Sequence, residues 1–274
     1  MISRAKYTGV CDGCGIELSV VSRSIGVVVG RCRSCASLFM MEGVEEAVTY
    51  EQCWGELFDQ RLATIRAAQA RQIVRRLEAA TVGRKVLDIG AGRGILVGAL
   101  RAHGWDALGI DSDAQSVRLA GGMVRHASVE SIESGTFDVV TMMDVLEHVR
   151  DRIAALNAVN ARLVAGGLLV LRVPNCGEIT MQCKRAVDQV IDSAYLCPMF
   201  GEHKVYYSAL GLARAAERSG FHVINCWYEH EPVIATAVPG WRGIVSRVGI
   251  WALRRLAVAV PRLRVEIALM CTKV

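Results

Sequence analysis

The sequence has no uninterrupted apolar run of the roughly 18 or more residues that a membrane-spanning helix requires. Its leading residues also lack the basic-then-apolar pattern of a signal peptide, so a cytoplasmic location is expected. A large excess of one charge is missing as well. Thirty-two basic against 27 acidic residues leave a net charge of +5, a mild preference for anionic partners without the basic stripe of a dedicated nucleic-acid binder. Aromatic residues are few, above all at the start, where residues 1–45 hold only Tyr7 and Phe39. Single-stranded nucleic acid is bound by stacking bases on aromatics within a basic groove, and this stretch offers neither in quantity. There is no internal repeat and no low-complexity tract. What remains is a chain of 274 residues, 52% hydrophobic and 22% charged, long enough for one sizeable core and a small second module.

The ten cysteines are more informative by spacing than by number. Cys11, Cys14, Cys32 and Cys35 form C-x2-C-x17-C-x2-C, so that two tight knuckles each offer a pair of thiolates to one tetrahedral ion. Gly13 and Gly15 help the first knuckle turn, and the valine- and serine-rich stretch between the pairs predicts a strand or hairpin. The pattern looks like a zinc ribbon. Four thiolates leave no open coordination position, so the zinc is expected to be structural. Cys53, Cys176, Cys183, Cys197, Cys226 and Cys271 show no second metal-like spacing and read as buried or incidental thiols.

The richest stretch is Val86–Asp111, which reads as strand, glycine turn, helix and second strand. Gly90, Gly92 and Gly94 permit a tight turn in which ligand atoms approach bare backbone. Asp111 falls at the carboxyl end of the second strand, where open α/β sheets bind ligands and where an acid can accept the two hydroxyls of a ribose. A dinucleotide fingerprint needs its third glycine at position 95, which is Ile95 here. With Asp88 just before the turn, the stretch resembles motif I of the class I S-adenosylmethionine-dependent methyltransferases. That resemblance implies S-adenosylmethionine as the methyl donor, held by Asp88, Gly90, Ala91, Gly92, Gly94, Asp111 and Ser112. It further implies contacts from Ser128, in the turn where the superfamily meets adenine, and from Met143 and Asp144 at the position resembling its motif IV.

Short apolar strands alternating with helices from residue 85 onward predict a Rossmann-like, mostly parallel seven-stranded sheet with helices on both faces, preceded by the small ribbon module. The expected organisation is a zinc ribbon over 1–45, a linker and cofactor-lid helix over 46–80, and a methyltransferase domain over 81–274 with insertions near 175–207 and 232–263. The helix before the glycine turn presents Phe58, Leu62, Ile65, Ala68, Ile73 and Leu77 on one face. On the family resemblance Tyr50 and Trp54 are candidate lid residues; the alternative is that they pack this helix on the core. Further elements are expected as a helix at 113–123, a strand at 137–142 continued by MMDVLEHV, a helix at 153–163 ended by Gly166-Gly167, and strands at 168–173, 221–228 and 265–272.

The segment 175–207 interrupts the strand-helix rhythm at the ligand-binding edge and reads as a substrate lid. Within it GEHKVYYS resembles a stretch of many relatives, which makes His203 the first candidate general base, against a loop-ordering hydrogen bond as the alternative. DVLEH resembles quinone-pathway O-methyltransferases, which marks His148 as a second candidate and leaves Asp144, Glu147 and His148 open either as cation ligands or as groups that satisfy backbone. Residues 240–262 place Trp241, Ile244, Val248, Trp251 and Leu256 at helical spacing beside Arg242, Arg247, Arg254 and Arg255. They suit either peripheral membrane contact or closure of a pocket or dimer interface. The leading reading is methyl transfer to a small-molecule or saccharide acceptor at O, N or C. An RNA base is the second reading, and a non-catalytic partner-binding protein with a vestigial cofactor domain the third. DNA is not an expected partner.

Overall fold

The computed structural model describes residues 3–6, 9–24, 27–45, 56–81, 83–178, 203–229 and 260–274. Tyr50, Trp54, most of the 175–207 lid expectation and the helix expected around Trp241 to Leu256 lie outside the described residues. The chain divides into two compact units, one of Met1–Glu46, Val173–Leu212 and Cys226–Ala268, the other of Ala47–Arg172, Ala213–Asn225 and Leu269–Val274.

In the first unit the stretch between the two knuckles forms the expected hairpin, β2 (Ser19–Ser24) antiparallel to β3 (Val27–Arg31), and β3 pairs in turn with β4 (Leu38–Glu45). β1 (Ser3–Lys6) lies against the other edge of β4. The sequence gives no hint of the fifth strand, β10 (Val205–Tyr206). It pairs antiparallel to β4 with Val205 opposite Phe39 and Tyr206 opposite Leu38. The buried side chains of this sheet include Val28, Val29, Leu38, Phe39, Met40, Val205 and Tyr206 together with Cys11, Cys32 and Cys35. A sheet this small buries little apolar surface, which is the situation in which metal ligands take over part of the stabilisation.

The second unit is built on the parallel strands β5 (Lys85–Ile89), β6 (Asp106–Asp111), β7 (Val124–His126) and β8 (Phe137–Met143), with β9 (Leu163–Pro174) beside β8. With β11 (Phe221–Glu229) and β12 (Glu266–Lys273) the seven-stranded order is β11-β12-β9-β8-β5-β6-β7. Val86, Leu87, Val139, Val140, Leu169, Val170 and Leu171 are fully buried, as parallel strands covered on both faces require. Among the described residues the helices are α1 (Glu56–Ala80), α2 (Ile95–Ala102), α3 (Ala114–Leu119), α4 (Arg152–Arg162) and α5 (Ala209–Arg218). α2 buries Val97 and Leu100, and α4 buries Leu156 and Val159.

Several boundaries differ from expectation for local reasons. On α1 the buried stripe is Ala70, Ile73, Val74 and Leu77, and Ala68 faces solvent. α3 is half the expected length because Gly121 and Gly122 follow with φ of 58° and 86°. MMDVLEHV does not continue β8. The strand stops at Met143, Asp144 turns the chain at φ 57°, and Leu146–His148 form a 3-10 turn. Gly166-Gly167 do not end α4, which closes at Arg162; both lie inside β9, where β8 and β9 shift register. Ser208 caps α5 as expected, its Oγ accepting the Gly211 N–H at 3.0 Å.

Candidate functional site

The strand order reverses at β5, which leads on one side to β6 and β7 while the chain later crosses to β8 on the other. In open α/β sheets such a switch point, at the carboxyl ends of the strands, is where ligands bind. Here the two loops that meet are the glycine turn after β5 and the turn after β8. A Cβ at Gly90, where φ is 68°, would collide with Cγ2 of Val145, so only glycine lets the two turns approach this closely.

The glycine turn is fixed by the neighbouring strand. The N–H groups of Gly90 and Ala91 both donate to the Ile110 carbonyl, at 2.9 and 3.0 Å. Gly92 donates to Oδ2 of Asp111 at 2.8 Å, and Oδ1 of Asp111 accepts the N–H of Asp113 at 2.8 Å. Asp111 is therefore more than an acid waiting for ribose hydroxyls. It closes the turn while each oxygen keeps a lone pair for a ligand. At Gly92 a Cβ would meet nothing within 4 Å, so this is the point of the turn that stands open. Gly94, at φ 75°, starts α2. Ser112 is exposed, its carbonyl 3.0 Å from His126 Nε2, and Ser128 is exposed just before the 3-10 turn Val129–Ser131.

Asp88 lies beneath the turn, buried, with its Oδ1 accepting from Thr141 Oγ1 at 2.6 Å. Burial pushes its carboxyl up to about 7, with Asp111 adding to the rise and the Thr141 hydrogen bond and Arg172 opposing it. Asp144 shows the opposite balance. Burial raises it, but the guanidinium groups of Arg172 and Arg66 outweigh that and hold it at about 2. Arg172 Nε and Nη2 reach its two oxygens at 3.0 and 2.5 Å, and Arg66 Nη1 on α1 reaches Oδ2 at 2.5 Å. Sequence reasoning missed both arginines. An arginine inside a strand rich in leucine and valine and another on a helix face carry no signal that they share one carboxylate.

Met143, at the end of β8, is half-buried. His148 is exposed in the following 3-10 turn, its Nε2 3.9 Å from Oε1 of the buried Glu147. His203 belongs to the other unit, where its Nδ1 lies 3.1 Å from the Tyr206 hydroxyl and the two rings are 5.3 Å apart. Also in that unit the four Sγ atoms of Cys11, Cys14, Cys32 and Cys35 lie within 4.8 Å of one another. The Cys11–Cys35 separation is 3.7 Å, close to the edge of about 3.8 Å for a tetrahedron with zinc–sulfur bonds of about 2.3 Å. The donor set and its spacing fit zinc.

A mostly parallel sheet that switches direction at β5, with a glycine turn closed by the acid that ends β6, defines a class I S-adenosylmethionine-dependent methyltransferase fold. Solved structures agree at the level of fold. An S-adenosylmethionine-dependent methyltransferase from Archaeoglobus fulgidus superposes with a TM-score of 0.53 over 77% of this chain and 94% of its own, at 18% identity. The magnesium protoporphyrin IX methyltransferase of Synechocystis PCC 6803, solved with bound SAH, gives 0.51 over 84% and 90%, at 14% identity. The methyltransferase-domain family matches residues 62–225, more than half of the chain, and the chain belongs to that family. Curated relatives include the ubiquinone biosynthesis O-methyltransferase of Psychrobacter arcticus, 37% identical over 112 residues, covering 36% of this chain and 44% of that protein. The enzyme of the same name from Pectobacterium atrosepticum is 31% identical over 137 residues, covering 45% and 55%. The chain spans about half the length of the curated relatives it matches.

Proposed function

We propose that this protein transfers a methyl group from S-adenosylmethionine to a hydroxyl oxygen of a small molecule, with segment 175–207 selecting the acceptor and a structural zinc in the Cys11, Cys14, Cys32, Cys35 cluster. The observation that carries this reading is the turn from Gly90 to Gly94, closed by Asp111 and open at Gly92. The choice of oxygen and of a quinol-like acceptor rests on the O-methyltransferase relatives.

S-adenosylmethionine, when bound, supplies an activated sulfonium methyl. The chain's part is alignment and proton handling. Asp111 offers its remaining lone pairs to a diol, and the bare backbone at Gly92 admits ligand atoms close to the turn. Asp88, Gly90, Ala91, Gly94, Ser112 and Ser128 shape the same site, with Met143 beside it. Asp144 is held ionised between the guanidinium groups of Arg66 and Arg172, so it serves as the fixed anion of an ion-pair cluster and not as a proton acceptor. His203, with its ring nitrogen held by Tyr206, accepts the acceptor's hydroxyl proton, and His148 is the second candidate.

The test has two arms. Calorimetry with S-adenosylhomocysteine should show binding that Gly92→Val weakens at least tenfold; equal affinity in the variant rejects the donor site. Incubation with labelled S-adenosylmethionine and a panel of catechols and quinols should then move label into product with the mass of an O-methyl ether. Label entering only nitrogen- or carbon-methylated products rejects the choice of oxygen. His203→Ala should lower turnover without changing S-adenosylhomocysteine affinity.

A further inference from the structure

The cysteine cluster has an obvious bland role, to hold a small sheet together. Its surroundings show a more specific one. The second knuckle, Cys32–Cys35, is joined to residues 203–211, a segment some 170 positions later in the chain. Ser208 Oγ donates to the Cys35 carbonyl at 2.5 Å, and the Ser208 N–H donates to Ser37 Oγ at 3.0 Å. The two serine hydroxyls lie 3.3 Å apart, and Ser37 Oγ is 3.3 Å from Cys35 Sγ. Tyr207 reaches the first knuckle, its hydroxyl donating to Asp12 at 2.7 Å, and its ring meets Phe39 edge-on. Cys176 donates its N–H to the Tyr207 carbonyl, and its Sγ lies 3.7 Å from the Ala36 carbonyl. At Gly211 a Cβ would fall onto Ser37 Oγ and lie 3.0 Å from Cys35 Sγ, so α5 begins in direct contact with a metal-ligand candidate.

Strand β10 has two residues. A ladder that short does not hold itself. What fixes His203 to Ser208 is this set of polar anchors on the knuckles, supplemented by the Met40 N–H donating to the Lys204 carbonyl at 2.9 Å. The anchors depend on the state of Cys35. A metal-bound thiolate carries no proton, so the Ser37 hydroxyl then donates to Cys35 Sγ and keeps a lone pair for the Ser208 N–H. Groups that orient a ligand in this way form part of the metal site.

We propose that Ser37, Tyr207 and Ser208 are positioning residues through which the metal-held knuckles anchor the acceptor-side segment 203–211, so that metal occupancy controls acceptor recognition and leaves donor binding unaffected. The inference rests on the reading of 175–207, which includes His203 to Tyr207, as the acceptor-selecting segment. It goes beyond a structural zinc because it makes the cluster a determinant of His203's position.

Hydrogen exchange on the full chain tests it, with zinc loaded at one equivalent and then removed by chelation. The amides of Val205, Ser208, Gly211 and Leu212 should exchange at least tenfold faster without metal, while those of β5 and β8 keep their rates. Ser37→Ala, at full zinc content, should speed exchange of Ser208 and Gly211 roughly threefold to tenfold, the effect of one lost hydrogen bond of about 1 kcal/mol. Gly211→Ala perturbs the same contact from the helix side and should raise the same rates with zinc retained. The proposal is overturned if the Cys32 and Ala36 amides lose protection on chelation while 203–211 do not, or if the chain takes up no zinc. Calorimetry with S-adenosylhomocysteine on the same samples separates the two readings. Failure to bind it with or without metal refutes the methyltransferase function, whereas the exchange rates of 203–211 decide the anchoring by themselves.

Discussion

The two sheets of this chain reach stability by different routes. In the parallel sheet Val86, Leu87, Val139, Val140, Leu169, Val170 and Leu171 are all fully buried, and the strands are continuous apolar runs. In the cysteine-held sheet Val20 and Val21 on β2 remain 41% and 44% exposed, and three of the cluster's cysteines rank among its most buried residues. A large sheet covered on both faces draws its stability from apolar area, at about 25 cal/mol per Å2 removed from water. The small sheet has too little area for that, and on the zinc proposal its stability would be concentrated in one coordination site and a few hydrogen bonds. One consequence is that the two regions should respond to opposite perturbations.

The largest effect should come from the cluster. Cys32→Ser removes a buried ligand, and binding energies of structural zinc are on the order of 10 kcal/mol. Thermal scans should lose a zinc-dependent transition in this variant while the helical far-UV signal persists. A single transition that shifts as a whole would break the comparison. Next in size is Leu87→Ala, at the centre of the parallel sheet, which should cost about 2–5 kcal/mol. Urea unfolding should give the same loss with zinc present and with zinc chelated; a loss that depends on zinc would show the sheets are energetically one.

The third prediction concerns a charge buried inside the larger core. Asp88 has its carboxyl raised to about 7 from an ordinary value near 3.8. A raised carboxyl makes the folded state hold a proton that the unfolded chain has already released. Stability therefore falls as pH rises through the window from about 4 to about 7. Asp88→Asn keeps the acceptor for Thr141 and removes that charge. Its stability relative to the parent should improve by a few kcal/mol between pH 5 and pH 8, measured by urea unfolding at both. An unchanged difference across that range would mean Asp88 is not charged at a cost in the native protein.

Much of the strand, glycine turn and helix is legible in the sequence because its signals are local. Gly90, Gly92 and Gly94 were read from spacing alone, and all three adopt positive φ. Asp111 was placed at a strand end and is found there. The four cysteines were paired by spacing and their sulfurs converge. Illegible features join residues far apart in sequence without periodicity. Arg172 meets Asp144 across 28 positions, and Ser208 meets Ser37 across 171. An arginine in a strand and a serine after a tyrosine are individually unremarkable, and only the fold gives them partners. Local reading also failed where a glycine pair had two plausible uses. Gly166-Gly167 looked like a helix stop and proved to be a register shift inside β9.

The closure of the glycine turn by the neighbouring strand also sets an order of assembly during synthesis. Gly90 and Ala91 find their acceptor on Ile110, and Gly92 finds its acceptor on Asp111, so these three amides lack their partners until β6 has emerged and docked beside β5. A parallel pair needs its crossover helix first, which here is α2. A nascent chain that has exposed β5 alone therefore presents a turn whose first three amides are still unpaired. The shape of the glycine turn is thus a product of strand docking, complete only once the protein has committed to its sheet.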